Sequence, residues 1–142
     1  MDNCNKYKKC YVFDLDGTLT DHVKYKDKKD YDRVDLLKSA KPKHLMSFAR
    51  ERFEGGHDVY VLTARTPVVR QAIIELLASN GIKAKEVFCV GGHGDIPHKE
   101  LKADILRDVT RNYPGVLFYD DRTDNVNEAN KVKGVQGQLV IY

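Results

Sequence analysis

The 142-residue chain is poor in the features that would take it to or across a membrane. Its first ten residues, MDNCNKYKKC, hold no apolar stretch of signal-peptide type, and no run elsewhere approaches the length needed to cross a bilayer. Cysteine is scarce and odd in number: Cys4, Cys10 and Cys89 form no C-x-x-C pair. That excludes a disulfide framework, a disulfide-linked partner and a zinc knuckle, and it fits a reducing compartment. No P-loop is present, so a kinase half is not expected. No repeat and no linker breaks the chain. These absences point to a cytoplasmic (intracellular) protein with one domain over residues 1–142. A hydrophobic share of 42% suffices for a core, and a net charge of +3 does not by itself define a nucleic-acid binder.

Five short apolar runs have strand character: 10–15, 58–63, 86–90, 115–120 and 138–142. Each is more continuous than alternating, as in strands buried on both faces. Helical patterns lie between them. Pro42 opens one, with Leu45, Phe48, Ala49 and Phe53 at helical spacing and Gly55-Gly56 as a stop. Thr66 and Pro67 open the next, with Ile73, Ile74, Leu76 and Leu77 as its apolar face and Gly81 at its end. A third carries Leu101, Ile105, Leu106 and Val109; a short last helix starts at a Thr123 or Asp124 cap and ends at Gly134. Strands alternating with helices predict an α/β Rossmann-like domain: a central parallel sheet of about five strands, with helices on both faces. Residues 20–40 interrupt this order. They mix Lys24, Lys26, Lys28, Lys29 and Arg33 with Asp27, Asp30, Asp32 and Asp35 around Tyr25 and Tyr31, and read as a charged surface flap.

The polar residues collect where the strands end. Asp14, Asp16, Gly17 and Thr18 follow the first strand, Thr63-Ala64-Arg65 the second, and Asp120-Asp121-Arg122 the fourth, with Asp124 beyond. In a parallel sheet these ends share one edge, the edge where ligands bind. Carboxylates gathered there repel at low dielectric. A divalent cation resolves that conflict, and an all-oxygen donor set favours Mg²⁺ over Zn²⁺. A carboxylate can also act as a nucleophile and carry a phosphoryl group.

These stretches resemble the motifs of the haloacid dehalogenase (HAD) superfamily of phosphohydrolases. DLDGTLTD resembles the first motif, DxDGT[LV]; VLTAR resembles the second; a helical lysine before strand four resembles the third; and LFYDDRTDN resembles the fourth. The match runs in order from residue 11 to about 125. The resemblance implies a Mg²⁺-dependent phosphomonoesterase with an aspartyl-phosphate intermediate. In it Asp14 is the nucleophile and Asp16 the general acid and base. Thr63 hydrogen-bonds a phosphate oxygen, and Asp120 and Asp121 hold Mg²⁺ with Asp14 and the Asp16 carbonyl, Asp121 being favoured within the acidic pair. Lys102 is favoured over Lys99 as the third-motif lysine. Gly17, Thr18, Ala64, Arg65, Lys99 and Arg122 are the substrate-binding candidates.

The intervals between motifs leave no room for a full cap domain, which implies an open cleft and a substrate that can be the end of a macromolecule. The LTxR and DDR patterns are similar to the 3′-phosphatase domain of the phage-type polynucleotide kinase/phosphatase family. In that group an arginine at the Arg65 position assists phosphate binding, so a DNA or RNA 3′ end is the expected partner. His98 stands where an acid is expected in that group. The other readings are a phosphatase for small metabolites, such as nucleotides or sugar phosphates, and a catalytically silent domain used as a binding module. The retained Asp14, Asp16, Thr63 and Asp121 argue against silence. His22, His44, His57, His93 and His98 read as surface or turn residues, and GGHGD at 91–95 as a substrate loop or a flexible connection.

Overall fold

The computed structural model describes residues 8–22 and 33–142. The Lys/Tyr-rich heart of the expected flap, residues 23–32, lies outside them. Five strands form one wholly parallel sheet: β1 (Cys10–Phe13), β2 (Asp58–Thr63), β3 (Glu86–Cys89), β4 (Val116–Asp120) and β5 (Val135–Leu139), in the order β3-β2-β1-β4-β5. Among the described residues five α-helices connect them: α1 (Val34–Lys38) and α2 (His44–Glu54) between β1 and β2, α3 (Arg70–Ser79) before β3, α4 (His98–Thr110) before β4 and α5 (Thr123–Ala129) before β5. This is the Rossmann-like α/β architecture read from the sequence. Among the described residues no inserted cap stands between β1 and β2 beyond α1 and α2.

Strand residues alternate between two cores. Tyr11, Phe13, Val59 and Val61 pack with Leu37 of α1, Met46 and Ala49 of α2 and Ile73 and Leu77 of α3. Cys10, Val12, Leu62 and Phe118 pack on the other face with Leu106 and Val109 of α4 and Ala129 of α5. Both faces are therefore covered, as the continuous apolar runs required. The chain moves outward from β1 through β2 to β3, then crosses back to place β4 beside β1. That reversal opens a crevice between the carboxyl ends of β1 and β4, the usual ligand position in such sheets.

Three local expectations are corrected. The last strand is Val135–Leu139, not residues 138–142. Its place is set by pairing, Val116 with Val135 through Asp120 with Leu139, and by Gly137, where a Cβ would stand 3.0 Å from Val126 Cγ1 and 3.1 Å from Asn130 Oδ1. Ile141, which made the apolar run look like a strand, is 82% exposed. Thr123 and Asp124 do not cap α5; Arg122 occupies that position, and the Asp124 carboxylate instead accepts the Arg122 guanidinium at 3.1 and 3.2 Å. Thr66 precedes a short 3₁₀ turn (Pro67–Val69) without a side-chain cap bond, so α3 begins only at Arg70 and buries Ala72, Ile73 and Leu77 while Ile74 faces outward. The far end of the flap segment is also more ordered than a loop: Leu37 and Ala40 are buried, which draws α1 onto the core.

Candidate active site

The turn after β1 is built by one carbonyl. Leu15 O accepts the N–H groups of Thr18, Leu19 and Thr20 and the Thr20 hydroxyl. Gly17 permits this turn on two grounds: its φ is +78°, and a Cβ there would stand 2.3 Å from both Asp121 Oδ2 and His22 Nε2. The Thr18 hydroxyl donates to Asp14 Oδ2 at 3.2 Å, and the Tyr142 hydroxyl braces the same turn by donating to the Thr18 carbonyl at 2.5 Å.

Asp14 is buried and meets β4 directly, its N–H donating to the Tyr119 carbonyl at 2.9 Å. Lys102 settles between the two strands: its Nζ donates to Asp14 Oδ1 at 3.0 Å and to Asp120 Oδ2 at 2.9 Å, with almost none of its side chain exposed. Lys99, its rival in the sequence, lines the cleft mouth. Asp120 is saturated further by the Arg122 N–H at 2.9 Å and the Asn125 amide at 3.0 Å. Asp121 is more open, and its partner is His22, whose Nε2 lies 3.0 Å from Asp121 Oδ2.

Oxygens of Asp14, Asp120 and Asp121 all lie within 4.8 Å of one another. Among the described residues here, four carboxylates (these three and Asp16) face two buried cations, Lys102 and Arg65. The carboxylates outnumber the buried cations, with His22 and the exposed Arg122 at the edge of the cluster, and the donors are hard oxygens, so the set fits Mg²⁺. The imbalance shows in Asp14: burial pushes its carboxyl up to about 8, Lys102 pulls it back, and Asp120 and then Asp121 push it further. Burial opposes the charge on Lys102, but attraction to Asp14 and Asp120 outweighs it and holds the ammonium above its usual range. His98 is kept below its usual range by burial and by the positive charges of Lys102 and Arg122.

A cleft of about 490 Å³ opens over this group, walled by Asp14, Asp16, Ala64, Lys102, Asp121 and Arg122, with His22, His98, Lys99 and Asn125 around them. Thr63 lies at the end of β2 with no exposure, its hydroxyl accepting the Arg65 N–H at 3.2 Å. Arg65 differs from its expected position: it lies fully buried beneath Asp16 rather than on the cleft wall. The Asp16 side chain accordingly belongs to Arg65 and stands outside the three-carboxylate cluster. Sequence reasoning left His22 and Asn125 out of the site. His22 sits on an exposed turn, as read, but across a contact of 99 positions that no local pattern signals. Asn125 could have been found as the residue one helical turn after the acidic pair.

The fold is that of the HAD hydrolases. Similar solved structures include a Pnkp1/Rnl/Hen1 complex, at 20% identity over 94% of this chain with a TM-score of 0.76, and a Pnkp1/Rnl/Hen1 RNA repair complex, at 19% identity over 100% of this chain with a TM-score of 0.78. This chain spans 46% and 45% of those two chains, less than half of each. A HAD-superfamily hydrolase of subfamily IA from Geobacter sulfurreducens matches with a TM-score of 0.61 at 15% identity, covering 92% of this chain and 88% of that one. The HAD family enzyme bt-2542 from Bacteroides thetaiotaomicron, in complex with magnesium and inorganic phosphate, matches with a TM-score of 0.57 at 11% identity, covering 93% of each. No protein-family model and no curated protein matches the chain. No described helix is long and apolar enough to cross a membrane.

Proposed function

We propose that the protein is a Mg²⁺-dependent phosphomonoesterase that works through an aspartyl-phosphate on Asp14 and removes 3′-phosphates from nucleic-acid ends. The observation that carries this reading is the Asp14, Asp120, Asp121 cluster with Lys102 threaded between its members at the β1–β4 crevice. Three carboxylates here share one buried ammonium, and a bound Mg²⁺ would add the positive charge that offsets their mutual repulsion.

Asp14, Asp121 and the Asp16 carbonyl would hold the ion, which supplies charge neutralisation at the phosphoryl oxygens. Thr18 and Lys102 hold the Asp14 carboxylate on either side, leaving it aimed along the crevice. Asp14 attacks phosphorus, the ester P–O bond breaks, and Asp16 protonates the departing oxygen. Water then attacks the same phosphorus with Asp16 taking its proton, the Asp14–phosphorus bond breaks, and inorganic phosphate leaves. Lys102 matches the charge that moves between oxygens in both steps.

For the substrate, support comes from the cleft and the fold likeness together. The cleft lacks a cap among the described residues, and Lys99, Arg122 and two histidines stand around it, so it can admit a chain end and meet its phosphates. One structure of similar shape belongs to a complex that carries RNA repair in its name. Phosphate release from a 3′-phosphorylated oligonucleotide should exceed that from p-nitrophenyl phosphate at least about 10-fold in kcat/KM, and both should stop in excess EDTA and return with Mg²⁺. Turnover in EDTA sinks the metal mechanism; poorer turnover of the oligonucleotide sinks the nucleic-acid assignment and moves the substrate to small phosphate esters.

A further inference from the structure

Arg65, the residue whose pattern points to phosphate, is spent on a carboxylate. Its Nε donates to Asp16 Oδ2 at 3.0 Å and its Nη2 to Asp16 Oδ1 at 2.7 Å. The guanidinium has no exposed surface, whereas Asp16 lines the cleft. A two-point fork fixes the plane of a carboxylate as well as its position, which a lysine ammonium does not do. The backbone that carries the fork is itself clamped. Arg65 N donates to Thr63 Oγ1 at 3.2 Å, Val90 N to Thr63 O at 2.9 Å and Gly91 N to Arg65 O at 3.1 Å. A Cβ on Gly91 would stand 2.4 Å from the Ala64 carbonyl oxygen and 2.9 Å from the Arg65 carbonyl carbon. Gly91 has no positive φ to explain it; only hydrogen fits where the end of β3 lies on the Ala64–Arg65 backbone.

We propose that Arg65 is a positioning residue that orients Asp16 toward the leaving oxygen, not a phosphate ligand, and that Gly91 fixes the backbone from which Arg65 reaches. The inference rests on the phosphatase reading and assigns the site a support line running from β3 through β2 to the acid on the β1 turn. In the first step Asp16, one oxygen still held by the fork, gives its proton to the ester oxygen as that oxygen takes the electron pair of the breaking P–O bond. In the second the proton lost by the attacking water returns to Asp16, so the acid is regenerated when phosphate leaves.

The distinguishing readout is the leaving group. A sugar hydroxyl needs a proton to depart; p-nitrophenol does not, and kcat/KM reports the step in which it leaves. Arg65→Lys should lower kcat/KM for a 3′-phosphorylated oligonucleotide about 100-fold and for p-nitrophenyl phosphate less than about 5-fold. Gly91→Ala, which keeps the arginine, should shift the two esters in the same unequal sense, and it carries the comparison if Arg65→Lys loses its circular-dichroism signature of folding. On an Asp16→Asn background, Arg65→Lys should change nothing further beyond about 2-fold. Equal losses on both esters, or an added loss on the Asp16→Asn background, overturn the inference and leave the phosphatase reading standing. A parent protein inert toward both esters overturns both together.

Discussion

The two edges of the sheet treat aspartate in opposite ways. At the amino edge Asp58 is met by Lys8 and Lys85, each at 3.5 Å, and by the Tyr113 hydroxyl, which also lies 2.9 Å from the Tyr60 hydroxyl. One carboxylate there has two cations and a phenol, and the group is partly open to water. At the carboxyl edge Asp14, Asp16, Asp120 and Asp121 share two buried cations. The first arrangement is complete as it stands. The second gathers more carboxylates than buried cations at the edge where ligands bind in such sheets, which is the ground for the proposed Mg²⁺.

The sharpest way to break the contrast is Asp14→Asn. It should remove turnover by more than about 10³-fold while leaving the circular-dichroism spectrum unchanged; near-parental phosphate release would remove Asp14 from the chemistry. Next is the buried ammonium. Lys102→Met leaves Asp14 and Asp120 unpaired and should destabilise the fold by about 3–5 kcal/mol in urea unfolding. Lys85→Met at the other edge, which removes a half-exposed ammonium and leaves Asp58 its Lys8 and Tyr113 partners, should change stability by about 0–1 kcal/mol. Similar values at the two edges would erase the distinction.

The edges should also respond to pH with opposite signs. Asp14 is raised from 3.8 to about 8, so in EDTA its contribution is present at low pH and is lost as pH rises through that interval. Asp58 is lowered: burial works against its charge, but the Tyr113 hydrogen bond, then Lys85 and Lys8, outweigh it. Its contribution is present above 3.8 and is lost as pH falls through its lowered value. Asp14→Asn should therefore gain in Tm over the parent as EDTA-containing buffer goes from pH 5 to pH 8, and added Mg²⁺ should abolish the gain. A difference independent of pH would show that Asp14 is not the strained group. Tyr113→Phe, another small change, should cost about 0.5–1.5 kcal/mol in urea unfolding and leave phosphate release unchanged.

Much of this was legible because buried strands and their terminal acids are local in sequence. Asp14, Asp16, Thr63 and Asp120 each end an apolar run, and the parallel order then brings those ends to one edge. Lys102 stood out from Lys99 by the apolar spacing of its helix, and burial among Ala103, Leu106 and Val109 separates the two in space. What stayed hidden depends on partners. The register of β5 follows β4 and α5 rather than its own hydrophobicity, so Ile141 misled. The place of Arg65 follows from a carboxylate 49 positions away, and a guanidinium next to a phosphate-binding motif looks the same whether it binds phosphate or a neighbouring acid. Gly91 sat in a run of glycines that suggested a loop, where the closeness of β3 to β2 was the reason.

The site's longest contacts join remote parts of the chain: Lys102 reaches back 88 positions to Asp14, His22 spans 99 to Asp121, and Tyr142 closes 124 to Thr18. No fragment holding only the first or the last strands can assemble it. During refolding, loop-closure entropy must be overcome before any of these contacts forms, which slows a topology of this kind. Recovered turnover would thus lag behind recovered helix signal, and the proposed phosphate release would serve as the clock for the docking of β4 against β1.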